Sequence, residues 1–153
     1  MNLSTVKYKT KTANEEDIYS HLTRCNENFS PPLNTKVDIR EYANKIFNKS
    51  VTFEAWKDDI LIGLVAVYFN DLHNQTGFIT NASLIKKYMN KGIASELMNI
   101  CIQYAKQYNF KEINLEVHKD NSPAIRLYKK FGFMDFETKD DLIVMKLKGL
   151  LKK

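Results

Sequence analysis

Cysteine, proline and glycine are scarce in this chain of 153 residues, with two, three and five of each. The two cysteines, Cys25 and Cys101, sit far apart, with no CxxC pair and no His–Cys cluster. That excludes a disulfide framework and gives no support for a zinc site, so no metal is expected. A reduced, cytoplasmic chain is the expectation. No apolar run approaches the ~20 residues a spanning helix needs, so no membrane role is expected. The stretch Met1 to Thr12 is polar and lysine-dotted, without the apolar segment of a secretory leader. No internal repeat and no domain boundary is visible. Neither GxxxxGK[ST] nor GxGxxG occurs, so neither a P-loop nor a dinucleotide fingerprint is present. Lys and Arg total 23 against 18 Asp and Glu, a net charge of +5. That excess is mild. It reads as a solvated lysine surface, or as attraction for a phosphate-rich ligand or acidic partner. No long basic run appears and the aromatics sit mostly at core spacings, which argues against nucleic acid.

What is present is a globular composition, 44% hydrophobic and 27% charged. One domain over residues 1–153 fits this length. A chain of this size hides roughly 68–70% of its unfolded surface, enough to fold without staples. Val6 to Lys11 alternates as a short strand. Thr12 to Asn14 offers caps for a helix from about Asn14 to Asn26, with Glu15, Glu16 and Asp17 favouring its N-terminus. Adjacent prolines in Asn28-Phe29-Ser30-Pro31-Pro32-Leu33-Asn34 force a loop. A second helix is expected from Val37 to Phe47. Val51 to Trp56 and Ile60 to Phe69 read as a hairpin turned at Lys57-Asp58-Asp59, and Gly77 to Ile85 as the third strand of a meander. From Gly92 to Tyr108 the apolar positions recur every three or four residues, which predicts an amphipathic helix packed on a sheet. Ile113 to Val117 is a strand. Ser122 as cap and Pro123 at the first position open another helix, stopped by Gly132. Phe133 to Phe136 and Leu142 to Leu147 complete the order β-α-α-β-β-β-α-β-α-β-β.

Two segments carry chemical signals. The junction Ile85-Lys86-Lys87-Tyr88-Met89-Asn90-Lys91-Gly92-Ile93-Ala94-Ser95 joins a strand to a long helix. Such a loop presents several backbone N–H groups, Gly92 lets a ligand approach closely, and three lysines flank it; together these suit a phosphate. An ordinary strand–helix turn fits the same residues about equally well. The second segment runs from Asn121 to Phe133. Asn121 and Tyr128 stand about two helical turns apart and point to similar sides. Tyr128 reads as a proton donor or as a core ring with its hydroxyl at an edge. Asn121 reads as a ligand contact or as a cap.

Together these segments resemble the acetyl-CoA binding half of the Gcn5-related N-acetyltransferase (GNAT) superfamily. That family carries Arg/Gln-x-x-Gly-x-Gly/Ala at the junction, then Asn, Ala and Leu-Tyr before Gly-Phe. Here the positions are Met89-Asn90-Lys91-Gly92-Ile93-Ala94, then Asn121, Ala124, Leu127-Tyr128 and Gly132-Phe133. The resemblance covers roughly Gly77 to Phe136. It implies an α/β (α+β) fold with a mixed, mostly antiparallel sheet of about six or seven strands flanked by about four helices. It implies acetyl-CoA as co-substrate, with the backbone of Met89, Asn90, Lys91, Gly92, Ile93, Ala94 and Ser95 at the pyrophosphate. Leu84, Ile85 and Asn121 would also contact the cofactor. Tyr128 would face the sulfur. Met89 departs from the family pattern, which removes a side-chain donor at that position.

The activity implied is acetyl transfer to a primary amine by direct attack on the thioester. The amine must lose a proton, so a base is required. The third strand offers Thr80, Asn81 and Ser83 but no carboxylate; Asn81 as holder of a water and as a plain strand residue weigh equally. Glu116, Glu54, His73 and His118 are the other candidates. His21 and His73 are expected at the surface. The cysteines are not expected to act, Cys101 being part of an apolar stripe with Leu97 and Tyr104. The acceptor should meet the first two helices, the Phe29–Leu33 loop and the Asn70–Gln75 loop. The Pro-Pro loop favours a small amine, such as an amino sugar. A protein N-terminus or lysine, a CoA-binding module without turnover and, last, a basic nucleic-acid module are the alternatives, and monomer and homodimer both fit.

Overall fold

A computed structural model describes residues 5–29 and 31–151. Among them seven strands form one sheet in the order β1-β2-β3-β4-β5-β7-β6. In chain order the elements are β1 (Lys7–Thr10), α1 (Glu15–Cys25), α2 (Ile39–Lys49), β2 (Val51–Lys57), β3 (Ile60–Asp71), β4 (Thr76–Leu84), α3 (Ile93–Gln107), β5 (Glu112–His118), α4 (Ser122–Lys130), β6 (Met134–Lys139) and β7 (Leu142–Leu147). The β4–β5 pair is parallel and every other pair antiparallel. Among the described residues, no helix is long and apolar enough to cross a membrane.

Local chemistry accounts for the element ends. Asn14 caps α1 and exchanges hydrogen bonds with Asp17, closing a capping box. Asp38 caps α2 by accepting from the Glu41 N–H. That cap starts α2 two residues later than the apolar pattern suggested. Asp58 and Asp59 both take positive φ, the two-residue turn that matches the twist of the β2–β3 hairpin. The cap of α4 is Asn121, not Ser122: Asn121 Oδ1 accepts from the Ala124 N–H at 3.3 Å, and Ser122 is already helical.

The central strand β3 is buried on both faces, so its apolar residues do not alternate with polar ones. Leu61, Leu64 and Ala66 pack with Ile18, Leu22, Ala43 and Ile46 under α1 and α2. Ile62, Val65 and Val67 pack with Leu97, Met98 and Cys101 of α3 on the opposite face. β5 does alternate. Ile113, Leu115 and Val117 enter the α3–α4 core, which sends Asn114, Glu116 and His118 to the other side.

Two expectations fail in the core. His21 is wholly buried, not at the surface. It falls on one helical stripe with Ile18, Leu22 and Cys25, the spacing that faces a core. Glu54 is also wholly buried and is no candidate base. It accepts from the N–H groups of Thr12 and Ala13, the hydroxyls of Thr12 and Thr52, and the Trp56 indole. A carboxylate so occupied ties the chain entering α1 to β2.

Candidate active site

The site begins where two strands part. The β4–β5 ladder runs from Thr76↔Glu112 to Ile79↔Leu115 and stops. β4 continues to Leu84 and β5 to His118, so the facing edges beyond that point are unpaired. A bulge marks the start of the divergence. Ala66 pairs with Asn81 and Val67 with Ile79, leaving Thr80 as the extra residue. The freed Thr80 carbonyl accepts from the Tyr42 hydroxyl at 2.6 Å, and the Thr80 hydroxyl lies 2.8 Å from the same oxygen. Burial pushes the Tyr42 phenol up to about 12, so it stays protonated.

The gap opens into a cavity of about 300 Å³. Phe29, Leu33, Lys36, Val37 and Tyr42 line it from the helical side, and Ile79 to Ala82 from β4. Leu115 to His118 line it from β5, Asn121 and Tyr128 from α4, and Leu142 from β7. Phe29, Asn81, Asn121 and Tyr128, picked out from the sequence, therefore meet here with two of the candidate bases, Glu116 and His118. Tyr128 is 7% exposed, and burial pushes its hydroxyl up to about 12. Its ring packs against Phe133, 5.7 Å between centroids. Asn81 is 5% exposed and engaged with Ser83. The Asn121 oxygen serves the helix cap, which leaves its NH₂ for any ligand.

Two bases at the cavity differ in availability. His118 Nδ1 accepts from the Asp120 N–H at 3.1 Å. A neutral imidazole has one lone pair on nitrogen, and this bond uses it. Glu116 is exposed and reaches Lys139 only at 3.9 Å, which leaves its oxygens accessible from the cavity. His73 lies in the exposed loop between β3 and β4, outside the cavity lining.

The second half of the predicted site lies at the N-terminus of α3. Leu84 packs at the edge of the α3–α4 core, and its neighbour Ile85 donates its N–H to the Ile62 carbonyl at 2.8 Å. The Met89 N–H donates to the Lys86 carbonyl at 3.1 Å. Those two amides are thus occupied within the protein. Among the described residues, the N–H groups of Asn90 to Ser95 have no protein acceptor. Side chains cap α1, α2 and α4, but Gly92, at φ 83°, leaves α3 without a side-chain cap. A Cβ placed on Gly92 would find no atom within 4 Å. Lys86, Lys87 and Lys91 are exposed beside it. Backbone N–H groups without acceptors, open space and flanking lysines are the arrangement that suits an anion.

A sequence model of the acetyltransferase (GNAT) family matches residues 15–133. The chain belongs to that family. An N-alpha-acetyltransferase of Sulfurisphaera tokodaii is 38% identical over 60 residues, covering 39% of this chain and 36% of that protein. A probable spermine N(1)-acetyltransferase of Bacillus subtilis subsp. natto is 34% identical over 74 residues, covering 48% and 49%. The chain thus spans half or less of these two relatives' lengths. The PaiA N-acetyltransferase of Thermoplasma acidophilum, solved in complex with coenzyme A, superposes with a TM-score of 0.75 at 20% identity, covering 93% of this chain and 99% of that one. The seven-stranded mixed sheet with four α-helices is the GNAT fold.

Sequence reasoning gave little weight to Glu116, named Thr80 and Ser83 on the third strand without a role, and missed the role of His21. The alternation along β5 was a usable signal for Glu116, because the apolar partners Leu115 and Val117 fix the face it takes. Nothing in the sequence signals the bulge at Thr80.

Proposed function

We propose that this GNAT protein transfers the acetyl group of acetyl-CoA to a primary amine, with Glu116 as proton acceptor and Tyr128 as proton donor. The observation that carries the reading is the strand gap, with one accessible carboxylate on β5 and a buried phenol on α4 lining the same cavity. Acetyl-CoA supplies, when bound, a thioester whose acyl carbon an amine attacks directly. The N–H groups of Asn90 to Ser95 hold its phosphates, and the unpaired edge of β4 runs beside its chain. Glu116 takes the amine's proton on a carboxylate oxygen, directly or through one water. Tyr128 keeps its proton throughout the working pH range and gives it from the hydroxyl to the departing sulfur. Phe29, Leu33 and Val37 wall the acceptor side and exclude water from the reacting atoms.

The acceptor is a small amine on this reading, since a cavity of about 300 Å³ is at the low end for small-molecule sites. The spermine acetyltransferase relative supports it. The N-alpha-acetyltransferase relative supports a second reading, in which a peptide N-terminus enters beside Lys36. The protein acts as one domain in the cytoplasm, where buried Cys25 and Cys101 stay reduced.

Thiol release from acetyl-CoA is the test, across polyamines, amino sugars and short peptides. At least one primary amine should support turnover, and Glu116→Gln should lower kcat for it by about 10²-fold, within the range for general base catalysis. Tight CoA binding with no turnover on any amine would reduce the chain to a binding module.

A further inference from the structure

A chain of polar groups runs from the buried middle of the sheet to the cavity. His21 Nδ1 lies 2.9 Å from the Leu61 carbonyl oxygen, and Nε2 lies 2.9 Å from Ser83 Oγ. Ser83 Oγ in turn lies 2.7 Å from Asn81 Oδ1. His21 is wholly enclosed, and Asn81 lines the cavity.

Counting protons decides which way each group points. A carbonyl oxygen only accepts, so Nδ1 of His21 carries a hydrogen. Full burial opposes a second proton. The backbone carbonyls of Leu61 and Ser83 favour the charged ring and the nearby Arg24 opposes it, but burial outweighs them all. His21 is therefore neutral, and Nε2 is a bare lone pair. The Cys25 thiol stands 3.7 Å from Nε2, a weak donor at long range. The hydroxyl of Ser83 at 2.9 Å must give Nε2 its only hydrogen. Ser83 then has none left for Asn81. With Oδ1 of Asn81 toward Ser83, two lone pairs would meet at 2.7 Å. Turning the amide over, an assignment set by the network and not by the positions of heavy atoms, puts Nδ2–H on Ser83 and Oδ1 on the side of the cavity and the Tyr42 hydroxyl, whose own hydrogen goes to the Thr80 carbonyl.

We propose that His21 is a positioning residue which, through Ser83, holds the carbonyl oxygen of Asn81 toward the cavity, where it accepts an N–H of the acceptor amine. This rests on the acetyl-transfer reading above. It adds a reason for a primary amine. A neutral primary amine keeps a second N–H for Asn81 on β4 after Glu116 on β5 has taken its proton, so the two strands grip the nitrogen from both sides of the gap. A tertiary amine has no N–H to offer. His21 itself touches neither substrate nor cofactor.

Two measurements test it, one of them independent of turnover. The first is ring ¹⁵N–¹H correlation of His21 at pH 7. It should show the neutral Nδ1–H tautomer, and Ser83→Ala should move the Nε2 signal toward that of a free lone pair while leaving Nδ1–H in place. An Nε2–H tautomer or a doubly protonated ring overturns the proposal. The second is steady-state kinetics with the best amine found. Ser83→Ala should raise the amine KM about tenfold, with kcat and acetyl-CoA affinity within about twofold of the parent. Ser83→Thr, which restores a hydroxyl, should recover most of the loss. An unchanged amine KM in Ser83→Ala overturns the proposal, as does a loss shared by both substrates that Ser83→Thr fails to recover. If the parent protein acetylates no amine, the functional reading falls, and the ring signals alone decide how Asn81 is turned.

Discussion

Tyr128 combines two properties that a proton donor to a leaving thiolate needs. Its hydroxyl is pushed up to about 12 by burial, so the proton is present at any working pH. That hydroxyl makes no hydrogen bond to another described residue, so the proton is not committed to the protein. The ring is held independently, by the α3–α4 core and by Phe133. Tyr128→Phe therefore removes the proton and spares the packing. The expected result is a fall in kcat of roughly 10²-fold, with acetyl-CoA affinity nearly unchanged. Melting temperature should hardly move, because no protein hydrogen bond is lost. A donor carrying a more acidic thiol should narrow the gap between variant and parent, since that leaving group needs less help. A variant with full kcat would remove Tyr128 from catalysis and leave the fold untouched.

The N-terminus of α3 works as an element, through backbone groups that no single side-chain deletion removes. Substituting Gly92 is a poor probe of it. At φ 83° any other residue strains the backbone, typically by about 1–2 kcal/mol, whatever space surrounds it. Ala94 is better placed, since it sits in the first turn with ordinary helical geometry. Leucine has nearly the helix propensity of alanine, so Ala94→Leu adds bulk at little backbone cost. Coenzyme A affinity, measured by titration calorimetry, should fall at least about tenfold, or about 1.4 kcal/mol, with the circular dichroism melt preserved. Retained affinity would place the phosphates elsewhere. This element was legible in the sequence because a period change, a glycine and flanking lysines coincide at Lys86 to Ser95. The helix start near Asn14 was legible for the same kind of reason, caps being short-range chemistry, whereas the Asp38 cap was passed over for the apolar Val37. The bulge at Thr80 and the parting of β4 from β5 were not legible. They arise from pairing between separate segments, Ala66 with Asn81 at the bulge and Thr76 with Glu112 in the β4–β5 ladder, and Thr80 looks like any strand threonine. His21 was misread for the opposite cause: its polarity outweighed a helical stripe that placed it inward beside Ile18, Leu22 and Cys25.

At the scale of the whole molecule, that buried histidine couples stability to pH. Burial lowers its pKa from 6.5 to about 4. Unfolding returns the ring to water, where it binds a proton at any pH below about 6.5. The unfolded state thus gains more protons than the folded one between pH 6.5 and 4, and stability must fall as pH falls through that window. Above pH 6.5 both states are neutral at this site and the effect vanishes. The shift corresponds to a loss of about 3 kcal/mol by pH 4, a large share of the 5–15 kcal/mol typical of a domain. Asp71 and Glu16, exposed carboxyls held below their usual range by Asn74 and Arg40, enter only at the acid end of the window. Urea unfolding at several pH values between 7.5 and 4 measures the slope. His21→Gln supplies the comparison, because an amide keeps a donor and an acceptor near Leu61 and Ser83 but does not titrate. The parent should lose about 3 kcal/mol more than this variant across the window, even where the variant starts out less stable. Parallel slopes would show that His21 takes up its proton as readily inside the fold as in water, and the neutral ring on which the Asn81 assignment depends would be lost with it.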